Sequence, residues 1–177
     1  VLEECDSTQQ LANQKQKVIK PELLLTKNQS SGFGYTGKWK FYPGSFAGSL
    51  IFPIDYFPDI ANNIELVTMV SIFQILKSID CEQQFALKHP NDILMNSKKI
   101  CGVIANIDKN VCIGIGINFG NCKSDEFSII REEIDVIQLG KLIFDKIKTN
   151  YHKNNEQFYL TNLIQRNQVF RGYRITG

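Results

Sequence analysis

Between Phe85 and Asn118 four short apolar runs succeed one another with only three or four residues between them, and this spacing constrains the fold more than any other feature of the chain. The runs are Phe85–Lys88, Ile93–Met95, Ile100–Ile107 and Val111–Asn118. They are separated by His89-Pro90-Asn91-Asp92, by a polar turn at Asn96-Ser97, and by Asp108-Lys109-Asn110. Connections this short cannot carry a crossover between parallel strands, so the runs read as strands joined in hairpins.

Around that centre the pattern changes period. Ile64, Val67, Ser71, Ile75 and Ile79 recur at helical spacing within Ile60–Ile79, which predicts the longest helix. Val136–Tyr151 and Gln157–Gln165 also carry helical periodicity. Near the start, Asp6-Ser7-Thr8 precedes a short helical segment, with Ser7 and Gln10 at capping-box spacing. Glu22–Thr26 and Ser49–Ile54 read as strands, and Gln168–Gly177 begins to look like one. Strands grouped in the middle with helices bunched around them imply an α+β domain with a mixed, largely antiparallel central sheet.

The 177 residues fit a single domain, and an apolar share of 43% is ample for its core. The formal charge is +2, the lysines are scattered, and Lys98–Lys99 is the only adjacent basic pair, so no DNA partner is expected. No run approaches the ~20 apolar residues of a membrane span, so no membrane partner is expected either. Cys5, Cys81, Cys101, Cys112 and Cys122 stand far apart without CxxC spacing, which suits reduced thiols in a cytoplasmic protein. His89 and His152 have no partner at metal-ligand spacing.

Four places concentrate chemistry. Lys27–Ser45 is a long loop rich in glycine, and Gly32-Phe33-Gly34-Tyr35-Thr36-Gly37 matches a dinucleotide fingerprint in letters only. The fingerprint requires a helix to follow, and Lys38-Trp39-Lys40-Phe41-Tyr42-Pro43-Gly44 is not one. What remains is a loop whose bare backbone can wrap an anion or small molecule. Lys88-His89-Pro90-Asn91-Asp92, with Lys99 and Gly102 on the next strand, gathers two ammonium groups, an amide and a carboxylate at one strand end. That set suits polyphosphate chemistry, with the carboxylate available to Mg²⁺ or its water shell. Gly114 and Gly116 alternate within a strand, which signals close approach of backbone or ligand, and Asn118 ends it with a group able to bond a base or phosphate. Ser7 and Thr8 stand at a helix start, where capping alone accounts for one hydroxyl.

In this order the pieces resemble the biotin protein ligase family. The family pattern of a Ser-Thr-Asn, a Gln followed by GRGRRGR-x-W, a KWPND, a KxxG and a GxGxN is met here in five places. These are Ser7-Thr8-Gln9, Gln29 with GFGYTGKW ending at Trp39, Lys88–Asp92, Lys99-Ile-Cys-Gly102 and Gly114-Ile-Gly-Ile-Asn118. The resemblance implies an enzyme that activates biotin with ATP and Mg²⁺ through biotinyl-5′-AMP and transfers it to a lysine of a biotin carboxyl carrier protein domain. It implies that Ser7, Thr8 and Gln29 hydrogen-bond the ureido end of biotin, with Gly32, Tyr35, Lys99 and Gly102 completing that subsite. Gly34, Gly37, Lys38, Trp39, Asn91, Gly114, Gly116 and Asn118 would face the nucleotide. Lys99, Asp92 and Lys88 would carry the phosphate chemistry, and Asp92 would meet the magnesium.

The same resemblance implies a catalytic domain over residues 1–171, the start of a small C-terminal β-barrel at 172–177, no DNA-binding segment, and pairing of two copies. Lipoate and octanoate ligases or transferases of the superfamily are the nearest alternative, and the KxPND…KxxG spacing and Gln29 favour biotin over them. A non-catalytic module that binds biotin or nucleotide is the other. Three departures stand out: Phe33, Tyr35 and Thr36 replace the loop arginines, Gln9 replaces Asn, and His89 replaces Trp. Without those arginines, weaker retention of the adenylate is expected.

Overall fold

The computed structural model of the chain describes residues 1–35, 37–57, 64–120, 127–130, 134–152 and 155–163. Helix α1 (Thr8–Asn13) is followed by β1 (Glu22–Thr26), β2 (Phe46–Pro53) and α2 (Ile64–Ile79). Then come β3 (Phe85–Lys88), β4 (Asp92–Met95), β5 (Lys98–Ile107), β6 (Asn110–Ile117), α3 (Val136–Tyr151) and α4 (Glu156–Asn162). The six strands form one sheet in the order β1-β2-β6-β5-β4-β3. Every ladder in it is antiparallel. The parallel component expected of a mixed sheet is confined to isolated bridges such as Leu2–Thr26 and Cys5–Gln29.

The hairpins follow from local chemistry. β4 turns into β5 through Asn96 and Ser97, both with positive φ, as a two-residue primed turn requires. Period-two alternation then sorts the strands into two faces. Leu50, Phe52, Val103, Ile113 and Ile115 point into the main core, packed under α2 and α3. The alternate residues of β2 and β6, Ile51 and Cys112, join Ala12 and Val18 in a smaller cluster beneath α1. The helices thus cover one face with a deep core. On the other face α1 takes only part of the surface, and the stretch beside it is left for a site.

β2 starts three residues earlier than the apolar run suggests, because Phe46 and Ala47 find partners in Ile117 and Gly116. The expected segments at 60–63, 121–126 and 164–177, including the strand-like end and the barrel start, lie outside the described residues. Among the described residues no helix is long and apolar enough to cross a membrane.

Candidate active site

The face left beside α1 carries a cleft of about 1100 Å³, counting the solvent in its mouth. Its floor is set by the sheet register. One row runs Asp92–Gly102–Gly116 across β4, β5 and β6, and a second runs Ile104–Gly114–Ser49 across β5, β6 and β2. The rows lie two residues, about 7 Å, apart along the strands. The two glycines of β6 are required by what sits on them. A Cβ on Gly116 would lie 2.6 Å from Cε2 of Trp39, and one on Gly114 would lie 2.8 Å from Oε1 of Gln9. The close approach read from alternating glycines is therefore made by the chain's own Trp39 and Gln9.

Ser7 is the N-cap of α1, its Oγ accepting from the Gln10 N–H at 3.3 Å. Thr8 donates its backbone N–H to Oε1 of Gln29 at 2.8 Å, which ties the helix start to the long loop. Gln9 donates through Nε2 to the Cys112 carbonyl at 3.0 Å, and Oγ of Ser49 lies 3.0 Å from its Oε1 and 3.1 Å from Oγ1 of Thr8. All of Ser7, Thr8, Gln9 and Ser49 are buried.

In the other row, the Lys99 ammonium lies 2.5 Å from Oδ1 of Asp92 as an ion contact without hydrogen-bond alignment. Lys88 Nζ lies 4.0 Å from Oδ2. Both lysines are partly exposed, so their free N–H groups face the cleft. Asn91 is buried and donates Nδ2 to the Val103 carbonyl at 2.8 Å. It thereby caps the outer edge of β5 where β4 runs out. The next N–H on that edge, of Ala105, is taken by Oε1 of Glu65 at 2.9 Å.

The glycine loop folds over the cleft as a small hairpin. Phe33 bridges Lys38, the Gly34 N–H donates to Gly37 at 2.8 Å, and the Trp39 N–H to Gly32 at 2.9 Å. Tyr35 reaches across to hydrogen-bond Glu65 of α2, with its hydroxyl also 3.4 Å from Ala105. Thr36 lies outside the described residues. His89, joined to Pro90 by a cis peptide, bonds through Nδ1 to the Tyr159 hydroxyl of α4 at 3.2 Å. Burial first, and the Glu65 carboxylate second, push the Tyr159 phenol up to about 12, so it keeps its proton at neutral pH.

The residues singled out in the sequence thus converge. Ser7, Thr8, Gln29, Tyr35, Lys99 and Gly102 line this one cleft, as do Gly34, Gly37, Lys38, Trp39 and Asn91, and Gly114, Gly116, Lys88 and Asp92. Gly32 and Asn118 do not. Gly32 sits behind the wall, where a Cβ would meet Nε2 of Gln29 at 2.5 Å. Asn118 is buried past the end of β6, its backbone bonded to Ile100 and Ile130. Sequence reasoning passed over Ser49 and Glu65 and noted Gln9 only as a substitution. Ser49 carries a signal, since it is a polar residue in an otherwise apolar strand; Glu65 reads merely as an acid in a helix's first turn.

Among the described residues no group of three or more His, Cys, Asp or Glu side chains could hold a metal ion. Among the described residues the one carboxylate lining the cleft is Asp92, and it is met by two lysines.

A single antiparallel sheet whose free face joins a polar, hydroxyl-lined subsite to a lysine-lined one under a glycine hairpin has the shape and charge to suit an organic acid beside a phosphate-bearing partner. The chain belongs to the biotin/lipoate A/B protein ligase family, whose model matches residues 1–118. It is 28% identical over 104 residues to a biotin–[acetyl-CoA-carboxylase] ligase of Paracoccus denitrificans, a match spanning 54% of this chain and 43% of that protein. The chain thus spans under half the length of that curated relative. Among solved structures it is similar to the biotin protein ligase of Aquifex aeolicus in complex with biotin and ATP. That match has a TM-score of 0.79 at 24% identity and covers 92% of this chain and 77% of the other. The biotin protein ligase of Leishmania major in complex with biotinyl-5-AMP superposes with a TM-score of 0.78 at 19% identity, covering 99% and 84%.

Proposed function

We propose that this chain couples biotin to ATP and passes the biotinyl group to a lysine of a biotin carboxyl carrier protein. The observation that carries the reading is the pairing, in one cleft, of a polarised hydroxyl pair with two lysines on one carboxylate. Because Ser7 Oγ accepts from a backbone N–H, its own proton is free to donate to a ligand carbonyl oxygen. Beside it stands the Thr8 hydroxyl, and Gln29, whose oxygen is taken by the Thr8 N–H, keeps its NH₂ to donate. A ring with adjacent C=O and N–H groups, such as a ureido ring, satisfies this set. A lipoyl or octanoyl head carries no such groups and would leave the Ser7 proton and the Gln29 NH₂ without an acceptor, a penalty of roughly 1–3 kcal/mol for each. That contrast supports biotin over the family's other acids.

In the first step the biotin carboxylate attacks the α-phosphorus and pyrophosphate leaves. In the second a carrier lysine attacks the acyl carbon and AMP leaves. The protein's part in the first is to hold two anions together and offset their charge. Lys99, oriented by Asp92, and Lys88 are placed to do so. Trp39 on Gly116 offers an aromatic face to the adenine, and the hairpin of Gly34, Gly37 and Lys38 keeps water from the acyl phosphate until the acceptor arrives.

The test is incubation with biotin, Mg²⁺-ATP and an acetyl-CoA carboxylase carrier domain, followed by intact mass. The expected result is a biotin-sized gain on the carrier, reduced at least ~100-fold in rate by Lys99→Ala. Binding of biotin with neither adenylate nor conjugate would make the chain a binding module and refute the ligase reading.

A further inference from the structure

We infer that Ser49, which lies outside the motifs, and Gln9, which departs from its motif, are specificity-determining positioning residues that fix the polarity of the Thr8 hydroxyl toward the ligand. Nε2 of Gln9 faces the Cys112 carbonyl oxygen at 3.0 Å, and a carbonyl only accepts, so this atom is the amide NH₂. Oε1 of Gln9 is therefore the end that faces Ser49, 3.0 Å from its Oγ. That oxygen also only accepts. A serine hydroxyl has one proton, and Ser49 is fully buried with no water-facing alternative, so the proton is committed to Gln9.

Ser49 Oγ then meets Thr8 Oγ1, 3.1 Å away, with lone pairs alone. Two hydroxyl oxygens at that distance need one proton between them, and Thr8 must supply it. With its proton turned to the floor, Thr8 presents only lone pairs to the cleft. The Thr8 hydroxyl is thereby an obligatory acceptor, beside a Ser7 hydroxyl free to donate. The geometry is locked by packing as well. Gly114 leaves room for Gln9, since a Cβ there would lie 2.8 Å from its Oε1, and Gln9 is buried against β6. A chain of three side chains from α1, β2 and back to α1 thus selects a ligand that brings an N–H to Thr8 and rejects one that brings an oxygen. Assigning that N–H to the ureido ring of biotin rests on the function proposed above; the proton order does not.

The experiment compares biotin with its two cyclic carbamate analogues, in which one or the other ureido N–H is replaced by oxygen. Binding to the whole chain is measured by calorimetry. At least one carbamate is expected to bind the unaltered protein about tenfold or more weaker than biotin, because two acceptors face each other in a buried site. Ser49→Ala removes the acceptor for the Thr8 proton, and Gln9→Met removes the acceptor for the Ser49 proton while keeping the volume. In either variant Thr8 is free to donate, and the ratio of carbamate to biotin dissociation constants should fall several-fold toward one. A ratio unchanged in a variant that still binds biotin would overturn the relay. If the unaltered chain binds none of the three compounds, the biotin reading fails and the relay is judged by itself. Neutron diffraction from crystals of the unaltered chain then locates the Ser49 proton: on the Gln9 side it upholds the proton order, on the Thr8 side it overturns it. The same measurement decides the case if neither variant folds.

Discussion

Gly116→Ala tests the architecture of the cleft most directly, because the chain's only tryptophan stands on that glycine. A Cβ at 116 would lie 2.6, 2.8 and 2.9 Å from Cε2, Cζ2 and Nε1 of Trp39, against an ordinary contact of 3.4–4 Å. The indole must withdraw by about 1 Å to restore contact, and overpacking of this kind costs roughly 1–3 kcal/mol. Two responses can relieve it. β6 is held on both sides, by β2 and β5, and its flanking residues Ile115 and Ile117 are buried. Trp39 instead sits on a loop and is half-buried. The cheaper movement is that of the loop, so the strain should appear as displacement of Trp39 rather than as loss of the fold. Intrinsic fluorescence then reports a single residue: the emission of Gly116→Ala should shift to the red and its quenching by iodide should rise. The midpoint of thermal unfolding should fall by only a few degrees. Nucleotide affinity in the presence of biotin should weaken about 5- to 100-fold. An unshifted spectrum together with unchanged affinity would refute the seat assigned to Trp39.

Other outcomes follow from the same geometry. Tyr35→Phe removes the hydroxyl that ties the glycine hairpin to Glu65 and Ala105, and should speed loss of bound adenylate about 2- to 10-fold in a filter-binding chase while leaving the unfolding midpoint unchanged. The small effect reflects a contact that is exposed to water. Asp135 caps α3 by accepting from the Ile137 and Gln138 N–H groups, so Asp135→Ala should lower stability by about 1 kcal/mol in urea titration with activity retained. Cysteine reactivity should divide by burial. Burial pushes the Cys101 thiol far up and Cys112 up to about 11, so both stay protonated and inert in the native protein at pH 8. Among the cysteines of the described residues, exposed Cys81 should take iodoacetamide first, as read by peptide mapping. Because both pKa values are raised, reactivity at Cys112 should appear only as pH approaches 11 or the chain unfolds.

Much of the site is legible in the sequence by itself, because its residues are punctuation as well as chemistry. Pro90 and the turn at Asn96-Ser97 break secondary structure where strands end, the glycines of 32–37 mark a loop, and Gly114 and Gly116 mark a strand open to close approach. Short spacing and period-two alternation settle that β3 to β6 are hairpin neighbours, and 3.6-residue periodicity settles α3 to the residue. What the chain could not disclose was which distant side chains meet. Gly114 and Gly116 advertise an approach, yet only the register of β6 against β2 and β5 decides that the visitors are Gln9 and Trp39. Asn91 reads as a ligand-facing amide, and only the tertiary structure shows that its Nδ2 also meets the Val103 carbonyl, just before β4 begins. Ser49 looks like an interruption in an apolar strand until α1 packs over it. Local propensity and periodicity act within a few residues, so a sequence can carry them in full. Hydrogen-bond direction and close packing depend on atoms 40 and 100 residues apart, as in the bonds of Gln9 to Ser49 and of Cys112 to Ala12, and those relations exist only once the sheet has closed.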